Sequence, residues 1–448
     1  MSLGESLSRI RHGFHPTFWV ANGMELFERL AYYGQGTVLS IFLRDHLKFS
    51  ELETGQLSSI FGGLIYLLPI IGGTLADKFG FRRAFSVAFF MLAIGYFLIG
   101  STGMAQTSAA FEGLPLFWIM VVILVFTAIG GSFIKPSVLG TVAVTSRPDT
   151  KSLGYAFYYW IVNIGAALGP LVAYQVREHI GIAYVYVVSA ASCALMLLVN
   201  LLFYREVKDE AHEVAESLAT KMKNLVVVLR NGRFMAFLLI YSLYWIIFWQ
   251  FFVIVPFYVT DAVSAQAPFE LILSTGAWAI IVLQLPINWL TKSLRTRSAI
   301  LVGFIISGLS WLVISFAPSL PHSLRPVTVL AMTLEVNFNP ALWAVIGGIL
   351  TFSIGEMIQA PRYYEYISGI APKGQQGLFQ GYAFLPIAIA WFVGGTLGGW
   401  LYERFAKEAG SPRTMFLVMF GIGVVAMVLM AVYTAVTSRS AKAEGASS

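Results

Sequence analysis

Charge is the scarcest property of this 448-residue chain: Asp, Glu, Lys and Arg together make up 12% of it, against 57% hydrophobic and 15% aromatic residues. With a mean hydropathy of +0.74, it lies outside the range of soluble domains, in which about a quarter of residues are charged. Cysteine is nearly absent too. Cys193 stands alone, which excludes an internal disulfide and a cysteine metal site. The six histidines, His12, His15, His46, His179, His212 and His322, all fall in terminal or loop stretches. Any proton handled inside the apolar part must therefore ride on carboxylates. Neither a phosphate-cradling glycine loop nor a nucleophile motif occurs, which excludes an ATP-driven pump and argues against an enzyme. No metal site and no cofactor is expected.

What the chain has in abundance is apolar runs. A spanning helix needs about 20 apolar residues, and such stretches occur near 17–43, 54–76, 83–101, 116–145, 153–176, 181–204, 234–260, 268–290, 298–317, 341–368, 376–402 and 412–437. Barrel strands would be about half as long and alternate in polarity, so the expected fold is an all-α membrane protein of twelve transmembrane helices in two six-helix halves. The start MSLGESLSRIRHGFHPTFW is polar and basic, without the apolar core of a cleaved leader, and the first span is expected to act as its own insertion signal.

An even number of spans puts both termini on one side. Segments on that side carry most of the basic residues, among them Arg82, Arg83, Arg230, Arg233, Arg295 and Arg297, while the other side holds Arg44, Lys48, Arg177, Arg325, Arg404, Lys407 and Arg413. The positive-inside rule makes the richer side cytoplasmic, with a bacterial inner membrane as the expected location. The formal charge of +6 is thus a topology signal and calls for no nucleic acid. The expected division is a first half over 1–203, a cytoplasmic linker over 204–233, a second half over 234–438 and a disordered tail over 439–448. In the linker, Val214, Leu218, Met222 and Leu225 have the spacing of a helix lying along the membrane surface. A faint repeat relates the halves, with Lys135-Pro136 in span four answered by Pro361-Arg362 in span ten. Interrupted helices at equivalent places point to a transporter with its site where the halves meet.

The charges inside spans carry the chemistry. MELFERLAYYGQG puts Glu25, Glu28, Arg29 and Tyr32 on one broad helical face. An unpaired charge in hydrocarbon is costly, so that face must look inward. Either Glu25 and Arg29 form a pair that only fixes packing, with Glu28 left without a local cation, or the group exchanges partners as a proton binds. Lys135, before Pro136, either snorkels to the surface or reaches the bundle interior. In span ten, FSIGEMIQAPRYYEY places Glu356 and Arg362 in one interrupted helix, and Arg362 too could be an interfacial residue. Counting Glu25, Glu28 and Glu356 against Arg29, Lys135 and Arg362 gives a neutral set. One added proton would make it cationic and better disposed to a carboxylate-bearing substrate. The loop GGTLADKFGFRRA sets Asp77 and Arg82 at the cytoplasmic end of spans two and three.

GxLADxxGxRR resembles the loop signature of the major facilitator superfamily. ExxERxAYYG, from Glu25 to Gly34, is similar to the first-helix motif of its proton-dependent oligopeptide transporter family. GGSFIKPSV, FYYWIVNIGAALGP and GEMIQAP resemble further motifs of that family, in order, across both halves. The resemblance implies alternating access and symport of short peptides with protons. It implies proton coupling by Glu25, Glu28, Arg29, Lys135 and Glu356, and gating by Asp77 and Arg82. Substrate contact would fall to Tyr32, Tyr33, Lys135, Tyr158, Asn163, Trp245, Gln250 and Glu356, with Arg362 a replacement cation. Two positions depart from the family. Gly36 stands where a basic residue usually holds the peptide carboxylate, and Trp249 stands where an acid usually precedes the glutamine. With Trp245, Tyr363 and Tyr364, Trp249 would give an aromatic wall. The expected partners are a small-molecule substrate, protons and the lipid bilayer, with the chain a monomer. Three alternatives stay open: a non-peptide organic solute, export instead of uptake, and a non-transporting membrane receptor with the same fold.

Overall fold

The computed structural model describes residues 13–207, 226, 228–321, 325–328, 335–371 and 376–446. Among these, ten helical stretches are long and apolar enough to cross a membrane. The pair α2 (Glu51–Leu67) and α3 (Pro69–Phe79), bent by 42°, makes an eleventh. α1 (Pro16–Ile41) has 26 residues, enough to span, and is set apart from the others by the charges it carries. The protein is an all-helical integral membrane protein, as its composition requires.

The helices after α3 run α4 (Phe81–Ser101), α5 (Leu116–Gly131), α6 (Ile134–Thr145), α7 (Lys151–His179), α8 (Ile182–Phe203), α9 (Gly232–Trp249), α10 (Ile254–Tyr258), α11 (Phe269–Thr291), α12 (Thr296–Ile314), α13 (Pro340–Ile370), α14 (Gln376–Gly381), α15 (Leu385–Leu401) and α16 (Pro412–Ala446). Span four is interrupted between α5 and α6, next to Lys135 and Pro136 as expected. Span ten is not: α13 continues through Pro361 for 31 residues. Proline lacks the N–H that would bond the carbonyl four residues back. That carbonyl belongs to Met357, and the Gln284 side-chain amide of α11 donates to it at 3.2 Å. A neighbouring side chain thus replaces the lost backbone bond, and the helix need not break. α16 is bounded by Pro412 and Ala446. A short antiparallel hairpin, β1 (Arg325–Thr328) with β2 (Glu335–Phe338), lies in the connection between spans nine and ten, and the spans themselves are all helical. The amphipathic stretch expected at Val214 to Leu225 lies outside the described residues.

The chain divides into two compact units, Met1–Phe49 with Ile60–Lys221, and Ser50–Ser59 with Met222–Ser448. In the first, α1 packs on α7 and α8, and α4 on α5 and α8. Gly165 and Gly169, a GxxxG pair on α7, allow the contact with α1. A Cβ on Gly169 would come within 2.8 Å of the Leu30 carbonyl, and one on Gly165 would run into the Arg29 side chain. In the second unit α12 packs along α13 and α16, α11 against α13, and α9 against α15. The first residues of α2 belong with this unit: Ser59 Oγ lies 3.1 Å from Thr396 Oγ1, and Glu51 is ion-paired with Lys407.

Candidate functional site

α1 carries the charged face expected of it, and burial there is extreme: Glu25, Glu28 and Arg29 are 0%, 2% and 7% exposed. Arg29 answers both carboxylates. Its Nε lies 3.3 Å from Glu25 Oε1 and donates to Glu28 Oε2 at 2.5 Å, while Nη2 also pairs with Glu28. This corrects the reading that Glu28 has no local cation. The guanidinium presents five donors in a fixed fork, so one arginine can serve two acids at once. Its Cζ also sits 4.9 Å from the centre of the Tyr32 ring.

Lys135, on the first turn of α6, does not snorkel to the surface. It lines a small cavity of about 20 Å³ with Arg29, Tyr32, Ile65, Tyr66, Pro69 and Gly131, room for about one water molecule. Its Nζ lies 5.2 Å from the centre of the Tyr66 ring, a cation–π contact. Lys135 and Tyr158 of α7 are both near enough to Glu25 to interact with it. Tyr33 stacks edge-on against Tyr32 at 5.2 Å. Asn163 donates to the Tyr159 carbonyl at 2.8 Å. Glu25, Glu28, Arg29 and Lys135 make a formally neutral quartet inside an apolar unit. The proline break before α6 and the bend at Leu68 bring Lys135 and Tyr66 to it.

The second unit holds the other expected residues. Glu356 on α13 lies near Tyr244, and no ion pair joins it among the described residues. Trp245 and Trp249 on α9 stack with ring centres 6.3 Å apart, and Trp249 packs on Trp391 of α15 at 4.5 Å. Gln250, fully buried, donates to the Gly394 carbonyl at 2.8 Å, so its amide is engaged in holding α9 to α15. Arg362 pairs with Glu365 at 2.9 Å, and Thr296 Oγ1 donates to the same carboxylate at 2.6 Å. The cation expected to stand in for the missing one therefore has a local partner at the end of α13.

At the loop after α3, Asp77 is exposed and Arg82 Nη2 donates to the Leu201 carbonyl at 2.6 Å. Sequence reasoning missed Glu206, whose carboxylate accepts from the backbone N–H groups of Phe81 and Arg82 at 2.9 and 2.8 Å. It caps the start of α4 from the far end of α8, favourable for an acid at a helix N-terminus. Tyr66 was missed as well; its place two residues before the Leu68 bend was its sole signal.

The sequence pattern of the Major Facilitator Superfamily matches residues 24–324 and again 262–447. The chain belongs to that superfamily. Among its relatives, "Dipeptide and tripeptide permease A" of Yersinia pestis is 28% identical over 228 residues, 50% of this chain and 43% of the permease. The match thus spans less than half the length of that relative. "Multidrug resistance protein MdtH" of Edwardsiella ictaluri is 22% identical over 394 residues, 88% of each chain. In fold, the superfamily member resembles a POT family transporter solved in complex with 5-aminolevulinic acid, with a TM-score of 0.73, 18% identity, and 95% and 97% of the two chains covered. A mutant of the nucleoside transporter NupG is equally similar in fold, with a TM-score of 0.73 at 12% identity over 93% and 99% of the chains. The resemblance to proton-dependent oligopeptide transporters read from the motifs is borne out, and the proteins it resembles are transporters, not enzymes.

Proposed function

We propose that the protein is a proton-coupled symporter of short peptides or a related carboxylate-bearing small solute, exposing its site to each side of the membrane in turn. The observation that carries this reading is the neutral quartet of Glu25, Glu28, Arg29 and Lys135, closed off from the bilayer beside a small cavity. Buried ions persist only when paired, and removing one partner is expensive. A proton delivered to Glu28 cancels its charge and its pull on Arg29. The guanidinium then turns wholly to Glu25, Lys135 is released from balancing the acids, and the quartet gains one positive charge. A carboxylate substrate restores neutrality, so proton and substrate favour each other's binding. With a zwitterionic peptide, whose own net charge is zero, one proton moves one net charge across the membrane, worth about 2.3 kcal/mol per 100 mV; with a monoanionic solute the pair is electroneutral and the pH gradient alone drives accumulation.

Tyr32, Tyr33, Tyr158 and Asn163 contribute the polar wall of the first unit, Glu356 with Trp245 and Trp249 the wall of the second, and Asp77 and Arg82 the cytoplasmic gate. The chain works as a monomer in the inner membrane with both termini in the cytoplasm. A second reading, export of a non-peptide organic solute, is favoured by the full-length similarity to a multidrug resistance protein and by Trp249 in place of an acid.

The test is uptake of labelled dialanine by proteoliposomes, with and without an inward proton gradient. Saturable uptake that rises with the gradient is expected, and Glu28→Gln should lose accumulation while keeping counterflow. If wild-type protein accumulates no dialanine but is stabilised by, or extrudes, an apolar organic solute, the second reading replaces the first.

A further inference from the structure

α1 has two faces, and the one opposite the ion pairs has a use of its own. Glu25, Glu28, Arg29 and Tyr32 recur at helical spacing; so do Phe27, Leu30, Ala31 and Gly34, two residues out of phase. Two residues amount to about 200° around the axis, so the second stripe lies on the back of the first. That back forms one wall of a groove of about 390 Å³, closed by α7 and α8. Ala31 and Gly34 of α1 and Gly169 and Ala173 of α7 hollow it out, since none extends beyond Cβ.

The lining is apolar. The two hydroxyls on it, Ser189 and Ser192, already donate their protons to the Ala31 and Phe27 carbonyls at 3.3 and 3.2 Å. The rim is open: Phe27, Val172, Val188 and Leu195 are 43%, 44%, 39% and 50% exposed. These residues lie within membrane-spanning helices, so the groove is continuous with the surface that meets the bilayer. From Phe27 to Gly34 it extends about 10 Å along α1, about a third of the hydrocarbon core.

We propose that this groove is a binding site for one acyl chain of a membrane phospholipid. Lipid tails are as apolar as leucine, so the preference for this place over the rest of the surface comes from packing: a groove matched to a chain supplies dispersion contacts on several sides at once. The bound chain forms the back support of the helix whose front holds Glu25, Glu28 and Arg29. The site does not rest on the transport reading.

The test uses the full chain in liposomes containing a phospholipid with a mid-chain diazirine. After photolysis, adducts are mapped by mass spectrometry. Adducts are expected to concentrate at residues 27–34, 169–176 and 185–195, and to fall there by about tenfold, corresponding to about 1.4 kcal/mol, in Ala191→Phe, which fills the groove from its rim. Leu195→Trp, a second filling variant, should do the same, and both should keep the thermal stability of the parent. An even spread over bilayer-facing residues, Trp118 and Val122 included, would overturn the assignment. So would adducts that persist in both filled variants, or labelling by a diazirine fatty acid with none by the phospholipid.

Discussion

In the first unit four ionisable side chains form one buried cluster and one arginine serves two acids; in the second, the carboxylate of Glu356 lies near a tyrosine, with no cation paired to it among the described residues, and the tryptophans stack on one another. The two units have similar lengths and the same kind of packing, yet the first gathers its buried charge into one paired cluster, whereas the second sets Glu356 beside aromatic side chains. The difference teaches where each event belongs. A charge set that is neutral only while complete responds to one proton by changing its net charge. In the proposed function, the aromatic wall beside Glu356 responds to a ligand's shape and to its charged end.

The sharpest way to break this comparison is to remove the shared cation. Arg29→Met strands two buried carboxylates, and a loss of about 3–5 kcal/mol in stability is expected, read as a large fall in thermal unfolding temperature together with loss of uptake. Glu356→Gln in the second unit breaks no ion pair among the described residues, and its unfolding temperature should stay near that of the parent while substrate affinity drops. Equal destabilisation by the two would show that the units do not divide the work this way. A smaller effect is expected from Trp249→Glu, which places an acid in the aromatic wall. Dialanine should then bind about tenfold more tightly, or ~1.4 kcal/mol, by competition against labelled substrate. Unchanged affinity would remove Trp249 from the wall that meets the peptide's amino end. Least of all should follow from Arg362→Ala, because its pair with half-exposed Glu365 is worth at most about 1 kcal/mol. Uptake of neutral and carboxylate-bearing solutes should change alike, and a selective loss for carboxylates would return Arg362 to the binding site.

Much of this was legible in the sequence because charge in hydrocarbon is rare enough to be conspicuous. The apolar spans, the inward face of α1 and the break beside Lys135 all follow from periodicity, charge and proline. What was not legible depends on contacts between distant segments. That Arg29 reaches Glu28 as well as Glu25 is a matter of side-chain conformation, not spacing. Pro361 carries the marks of a helix break, and α13 nevertheless continues, because Gln284, on a different helix, takes the freed carbonyl of Met357. Glu206 looks like an ordinary loop acid until α8 and α4 are seen side by side. Gly165 reads as a generic packing glycine, and nothing in the chain says that the atom it makes room for belongs to Arg29.

The quartet has one more consequence, for how such a sequence can drift. Each member is tolerable because the other three are present, so the effects of substituting them cannot be additive. Losing Glu25 alone leaves a net positive charge and losing Lys135 alone a net negative one, whereas losing both restores neutrality. A lineage can therefore keep all four or abandon them in compensated pairs, and the passage between the two runs through poorly folded intermediates. Glu25, Glu28, Arg29 and Lys135 are in that sense a single unit, while the stacked tryptophans of the other unit are under no such rule and can change one residue at a time.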